Sequence, residues 1–274
     1  MNGQANPRID RLIFVICYLT FLIGLAACAR PDDTWERVLE TGTLRVGMDA
    51  SFPPFESIAA DGTLVGFDVD LARELGRRLG VDVQFVANLP YDGLYDALTA
   101  KRVDVVISAL VVNPDRMADF AYSASYFDAG QVLVVRPPSV PPACGGEEGG
   151  ECTLAVEFGT RGDKEARKWA RRVAGLTIAP YQTAAESLAA VAAGEADAAL
   201  VDHVSALMAI AQTPGVAENP RGLGLVIVGE PVVEEPYAVA GRKESRHLLQ
   251  ALNEPLAEME MDGTLERLAA RWLR

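Results

Sequence analysis

Histidine is almost missing from this chain of 274 residues: there are two, His203 and His247. With no cluster at metal-ligand spacing and no nucleophile elbow, the sequence offers little from which to build a metal centre or an acyl-transfer site. Positive charge is also short. Lys and Arg number 25 against 38 Asp and Glu, for a formal net charge of −13. Such a balance excludes a protein held on nucleic acid by phosphate contacts. The apolar run Leu12 to Leu25, broken only by Thr20 and Gly24, is short for a membrane-spanning helix. Cysteine is sparse, at four. Cys17 lies in that run, Cys28 follows it, and Cys144 and Cys152 flank a glycine-rich loop. The length allows one large or two ordinary domains, each with ample core.

Arg8 and Arg11 precede the apolar run, and Leu25-Ala26-Ala27-Cys28 closes it. This is the order of a secretory signal. The closing motif resembles a bacterial lipobox, in which cleavage leaves Cys28 to be lipidated. Residues 1–27 therefore read as a lipoprotein signal peptide, with an uncleaved signal anchor as the alternative. Losing Arg8 and Arg11 with only Asp10 leaves the remainder more acidic still, so acyl chains rather than charge would hold a membrane. Export would place Cys144 and Cys152 where a disulfide persists. Closing so short a loop stabilises by ~2–3 kcal/mol, a local staple with no redox role.

Residues 28–42 read as a tether and a short helix, Thr34 to Glu40, stopped by Gly42. A strand, Thr43 to Met48, leads to the loop Asp49 to Phe55, whose two prolines forbid strand and helix alike. Phe52 there reads as a ligand platform and Phe55 as a core plug. Asp61-Gly62 predicts a hairpin turn. A helix follows with Asp68 as N-cap, Val69, Ala72, Leu75 and Leu79 on one face, and Gly80 past its end. Asp68 as a cap and Asp70 as a solvated first-turn charge explain the two acids more simply than a pair does. Asp82 to Ala87 reads as a strand and Tyr91 to Ala100 as a helix.

The β-branched run from Asp104 reads as a strand buried on both faces. It meets Asn113-Pro114, an N-cap and first helical position, which puts Arg116 in the first turn of a helix. The alternation predicts a parallel sheet. Ligands collect at the carboxyl edge of such sheets, where Arg116 is either a carboxylate clamp or a surface arginine.

The second half reads similarly. Pro137 to Gly150 is an exposed loop, and Thr153 to Glu157 a strand ending at the turn Phe158 to Gly162, with a helix from Asp163. That glycine turn either suits an anion or is structural. Ala184 to Gly194 is a helix, and Ala196 to Val201 a strand ending at Asp202. Asp202 either holds an ammonium group or caps a helix starting near Val204. His203 beside it reads as a helix-start residue in preference to a proton shuttle.

Three runs, Gly47 to Glu56, Gly66 to Ala72 and Pro114-Asp115-Arg116, together with Leu188 to Asp202 and Met261 to Leu265, resemble the family 3 extracellular solute-binding proteins. These are the polar amino-acid receptors of ABC importers. The resemblance spans nearly all of 43–274. It implies an α/β fold of the periplasmic-binding-protein type II, two α/β lobes joined by two crossover strands. Lobe 1 would be 43–131 plus 237–274 and lobe 2 132–236, with the Cys144–Cys152 loop near its start. The crossovers would fall near Gly130 to Val134 and Glu235 to Ala238.

The resemblance also implies a site: Arg116 on a ligand α-carboxylate, Asp202 on its α-ammonium, and Phe52 stacked on its side chain. Gly159 and Thr160 would donate amides, while Ser108 and the Leu110 carbonyl would take ammonium protons. Charges split between lobes would pair fully only on hinge closure. Three residues depart from the pattern: Val111 in place of Ser or Thr, Asn113 in place of Thr, and Arg161 after Gly-Thr. Asp49 points to a basic ligand, and an inward Arg161 to an acidic or amide side chain, so the two cues oppose each other. No cofactor is implied. The implied partners are the ligand, the permease subunits of an ABC importer and the membrane through a lipid anchor, for a monomer in the periplasm or on the cell surface. The same fold resembles periplasmic cyclohexadienyl (prephenate/arogenate) dehydratases, which supply the enzymatic alternative.

Overall fold

A computed structural model of the protein describes residues 34–137, 150–212 and 224–273. The signal segment, Cys28 and Cys144 lie outside the described residues. The chain enters through the helix Thr34–Thr41, which is anchored rather than loose. Val38 is buried, and the Thr34 hydroxyl lies 3.1 Å from the Ser245 hydroxyl and accepts Arg242 Nη2 at 2.9 Å.

The first half of the chain forms β1 (Thr43–Gly47), β2 (Ser51–Phe52), β3 (Glu56–Ile58), β4 (Leu64–Val65), β5 (Asp82–Val86), β6 (Val105–Val106) and β7 (Phe120–Asp128). The second half forms β8 (Gln131–Val135), β9 (Cys152–Glu157), β10 (Leu176–Tyr181), β11 (Ala198–Asp202), β12 (Val226–Val233) and β13 (Pro236–Arg242). One sheet has the order β5-β1-β6-β13-β7, the other β10-β9-β11-β8-β12, and a small third has β2-β3-β4. Each large sheet is the centre of one lobe. Leu44, Phe67, Leu75, Val239 and Leu252 pack in the first core, and Val132, Val134, Leu188, Val191 and Val201 in the second. Burying a side chain of this size contributes about 1.5–3 kcal/mol.

The predicted parallel sheet holds only in part. β1 runs parallel to β5 and β6, but β13 is antiparallel to β6 and β7. The reason lies in the connections between lobes. β7 passes straight into β8, and β12 straight into β13, through residues 129–130 and 234–235. No helix intervenes to turn the chain round, so the strands contributed by the crossings run against the rest. The Asp128 carboxylate ties the two crossings together. Its Oδ1 accepts the Gly130 N–H at 2.8 Å and the Glu235 N–H at 2.9 Å. A Cβ at Gly130 would sit 1.8 Å from the Val233 carbonyl oxygen, so only glycine lets the strands approach this closely.

Three local expectations are corrected. The Pro53-Pro54 segment does not exclude strand pairing: Ser51 and Phe52 pair with Ser57 and Glu56 on either side of the prolines, which occupy the turn. Asp68 is not the N-cap of the helix Phe67–Leu79. Gly66 holds that position at φ 139°, where a Cβ would meet the Phe55 carbonyl at 2.0 Å, and Asp68 is left to turn inward. The run after Asp104 pairs as a strand only at Val105–Val106 and then bends, with Ala109 at φ 43°. The bend is held by Asp68 Oδ2, which accepts the Ala109 N–H at 2.5 Å.

Candidate functional site

The carboxyl edge of the first sheet makes one wall of a cleft of about 720 Å³, lined by Tyr91, Asp92, Tyr95, Leu110, Val111, Val112, Asn113, Pro114 and Arg116. Arg161 and Glu235 line it from the second lobe and the return crossing. Arg116 is placed by Asn113, whose Oδ1 accepts the Asp115 N–H at 3.0 Å and opens a turn of 3₁₀ helix, Pro114–Arg116. The predicted cap is present, but the helix ends after that turn because β7 begins at Phe120. The Arg116 guanidinium carbon sits 5.0 Å from the centre of the Tyr95 ring, a cation–π seat that aims it along the cleft wall. Tyr95 is fixed in turn by the Tyr122 hydroxyl at 2.8 Å and by the Phe120 ring. Burial first, then that hydrogen bond, raises its phenol pKa.

On the facing side Arg161 Nη1 lies 3.0 Å from Glu235 Oε1. The Glu235 backbone is held on both sides: besides its N–H bond to Asp128, its carbonyl accepts the Ala129 N–H at 3.1 Å. Asp202 ends β11, and its Oδ1 accepts the Ser205 N–H at 2.8 Å, capping the helix His203–Gln212. His203 is a hinge contact, with Nδ1 2.7 Å from the Asp128 carbonyl oxygen and its ring stacked on Phe127 at 5.2 Å.

Tyr237 links these parts. Its backbone bridges to Val111, and its ring meets Phe55 edge-on at 5.3 Å. Its phenol is pushed up by burial first, then by Asp68, Glu235, Tyr91 and Asp202.

The other expected contacts are engaged within the protein. Asp49 accepts the Ser51 hydroxyl at 2.7 Å and the Tyr91 N–H at 3.1 Å, one on each oxygen. The Ser108 hydroxyl is 1 % exposed, donates to Glu56 Oε1 at 2.7 Å and accepts the Asp49 N–H at 3.0 Å. The Leu110 carbonyl takes the Ala238 N–H at 3.1 Å. The Gly159 N–H goes to Asp163 Oδ2 at 3.0 Å, while the Thr160 hydroxyl caps the helix Arg161–Ala170. Phe52 is 49 % exposed and stacks on Phe55 at 5.9 Å. The structure thus brings Leu110, Arg116 and Arg161 to one cleft, leaves Asp202 outside its lining at the end of β11, and turns Asp49, Ser108 and Gly159 to internal bonds.

Sequence reasoning missed Tyr91, Asp92, Tyr95 and Glu235. The spacing of Tyr91 and Tyr95, four apart after Pro90, was the available signal, since it puts both on one helical face. It also read Asp68 and its neighbours wrongly. Glu56 and Asp68 are 1 % and 0 % exposed and form a buried pair behind the cleft. Burial raises both carboxyl groups; the Asp68 charge raises Glu56 further, while the Ala109 N–H and Tyr126 hydroxyl restrain Asp68. Glu56 Oε2 and Asp68 Oδ1 have no hydrogen-bond partner among the described residues, and burial favours keeping a proton at the pair.

A family model described as bacterial extracellular solute-binding proteins, family 3, matches residues 44–274. The histidine-binding periplasmic protein of Salmonella typhimurium is 34 % identical over 236 residues, which cover 84 % of this chain and 86 % of that one. The L-cystine-binding protein of Escherichia coli is 30 % identical over 244 residues, covering 86 % and 84 %. Among solved structures, the unliganded open L-cystine receptor of Neisseria gonorrhoeae aligns with TM-score 0.71 at 26 % identity, over 88 % of this chain and 96 % of that one. An ancestral cyclohexadienyl dehydratase aligns with TM-score 0.70 at 28 % identity, over 86 % and 95 %.

Proposed function

The chain belongs to the bacterial extracellular solute-binding proteins, family 3, a substrate-binding receptor and not an enzyme, and we propose that it captures a free amino acid between its lobes and delivers it to the permease of an ABC importer. What supports this reading is Arg116, which lines one cleft wall seated on Tyr95, together with the family match; Asp202, at the end of β11 in the other lobe, is the acid proposed to face it. A zwitterion taken out of water needs a partner for each pole, or burial costs several kcal/mol. Arg116 supplies a guanidinium fork for the α-carboxylate. Asp202 keeps Oδ2 for the α-ammonium while Oδ1 caps its helix. Because the two stand on different lobes, the bound ligand favours the closed arrangement. Phe52 and the Leu110 carbonyl complete the grip, and the Gly159-Thr160 turn approaches on closure.

Residues 1–27 serve as a signal peptide, Cys28 as the lipidated anchor, and residues 28–42 as the tether and short helix that lead into lobe 1, 43–131 plus 237–274. Lobe 2 is 132–236. The Cys144–Cys152 staple is supported by Cys152, buried at the first residue of β9 and disulfide-bonded. The protein acts as a monomer on the outer face of the membrane.

A thermal-shift series over the twenty common amino acids and L-cystine tests the reading. Stabilisation by one of them is expected, growing with ligand concentration, and prephenate and arogenate are expected to come back unchanged. Turnover of either to an aromatic product would remove the receptor reading.

A further inference from the structure

We propose that the Arg161–Glu235 ion pair is the side-chain subsite of the cleft, and that it selects an amino acid whose side chain ends in a neutral group with donor and acceptor side by side. An amide has that form, and a second amino-acid head, a zwitterion of zero net charge, offers its ammonium donor and carboxylate acceptor in the same way. The inference rests on the receptor reading and names the substrate class of that site.

With Arg116 and Asp202 given to the α-groups, three charged residues remain at the cleft: Arg161, Glu235 and Asp92. Arg161 alone would call for a side-chain carboxylate. Glu235 stands 3.0 Å from it, on a backbone fixed by its N–H bond to Asp128 and its carbonyl bond to the Ala129 N–H, so its carboxylate stays within reach of the cleft when a ligand arrives. A second carboxylate would therefore meet Glu235 as well as Arg161, with Asp92 adding to the repulsion. A cationic tip meets the opposite conflict with Arg161, and Asp49, the acid that would have favoured it, accepts from Ser51 and Tyr91 and is not among the residues that line the cleft. A paired cation and anion instead match a dipole, which satisfies both without leaving either charge alone in the closing cleft.

The test is calorimetric titration of the purified mature protein with L-glutamine, L-cystine, L-glutamate and L-arginine at one salt concentration. Glutamine or cystine is expected to bind at least tenfold more tightly than glutamate or arginine. Glu235→Gln releases Arg161 and is expected to move the glutamate-to-glutamine affinity ratio at least tenfold toward glutamate. Arg161→Gln is expected to move the arginine-to-glutamine ratio toward arginine by a similar factor. Each ratio is taken within one protein, so a loss of folded fraction does not imitate the result. A wild-type preference for glutamate or arginine, or ratios that neither substitution moves, overturns the subsite and leaves the receptor reading standing. Binding of none of the four, nor of any other common amino acid, overturns both.

Discussion

The carboxyl groups of Glu56 on β3 and Asp68 on the helix Phe67–Leu79 are both buried inside the first lobe. Glu56 Oε2 and Asp68 Oδ1 have no hydrogen-bond partner among the described residues, so burial favours a retained proton there. Ser108 bonds one member and Tyr126 the other, so four segments of the lobe meet at one retained proton.

This proton makes stability depend on pH with a definite sign. Both groups have folded pKa values above their unfolded ones. The folded state therefore binds more protons than the unfolded state as pH rises above the carboxylate range of about 4. The contribution of this pair is full below that range and is lost as pH rises through the folded values. Glu56→Gln keeps a donor for Asp68 without a proton to lose. Melting temperatures measured from pH 5 to 9 should decline less steeply in this variant than in the wild type, and equal slopes would mean that the pair does not govern the profile.

Arg116→Ala and Asp202→Ala should each cost about 2–5 kcal/mol of amino-acid binding, since truncating one partner leaves the opposite pole of a buried ligand unpaired. Titration calorimetry against the ligand found by thermal shift reads this directly. Affinity unchanged in both variants would mean that the site lies elsewhere.

Tyr95 separates aim from charge. Tyr95→Phe keeps the ring beneath Arg116 and loses only the Tyr122 hydroxyl bond, so affinity should stay within about threefold. Tyr95→Ala removes the seat, worth ~0.5–1 kcal/mol or more once the cleft closes. The same titrations decide it, and equal losses in both variants would assign the effect to the hydroxyl.

At the hinge, Gly130→Ala forces a Cβ against the Val233 carbonyl. The crossings would have to separate, at a cost of at least about 2 kcal/mol. Asp128→Ala strands the Gly130 and Glu235 N–H groups and should cost ~1–3 kcal/mol. Urea unfolding measures both. A near-neutral Gly130→Ala would show that the strands have room to part.

Much of the fold was legible because local chemistry decides it. The helix Phe67–Leu79 buries Val69, Ala72 and Leu75 and stops at Gly80 as the apolar spacing and terminal glycine predict. The Asp61-Gly62 turn joins β3 to β4 as expected. Asp68 was misread because an acid near a helix start is usually a cap. Only the closing of the β3–β4 hairpin, whose two ends bring Phe55 against Gly66, moves the cap to Gly66 and puts the Asp68 side chain indoors.

A family resemblance implied the two lobes, while the sequence by itself determined the extent of helices such as Phe67–Leu79, the Asp61-Gly62 turn and the place of Arg116 at a carboxyl edge. These follow from periodicity, capping and proline or glycine within a few residues of one another. Only the tertiary structure decided which charges are free to meet a ligand. Asp49 turned out to be engaged by Ser51 and Tyr91, and Arg161 to be paired with Glu235, some seventy positions later in the chain. Whether a charge is available depends on its neighbours in space, and an inter-lobe crossing brings together residues whose separation along the chain carries no trace of the contact.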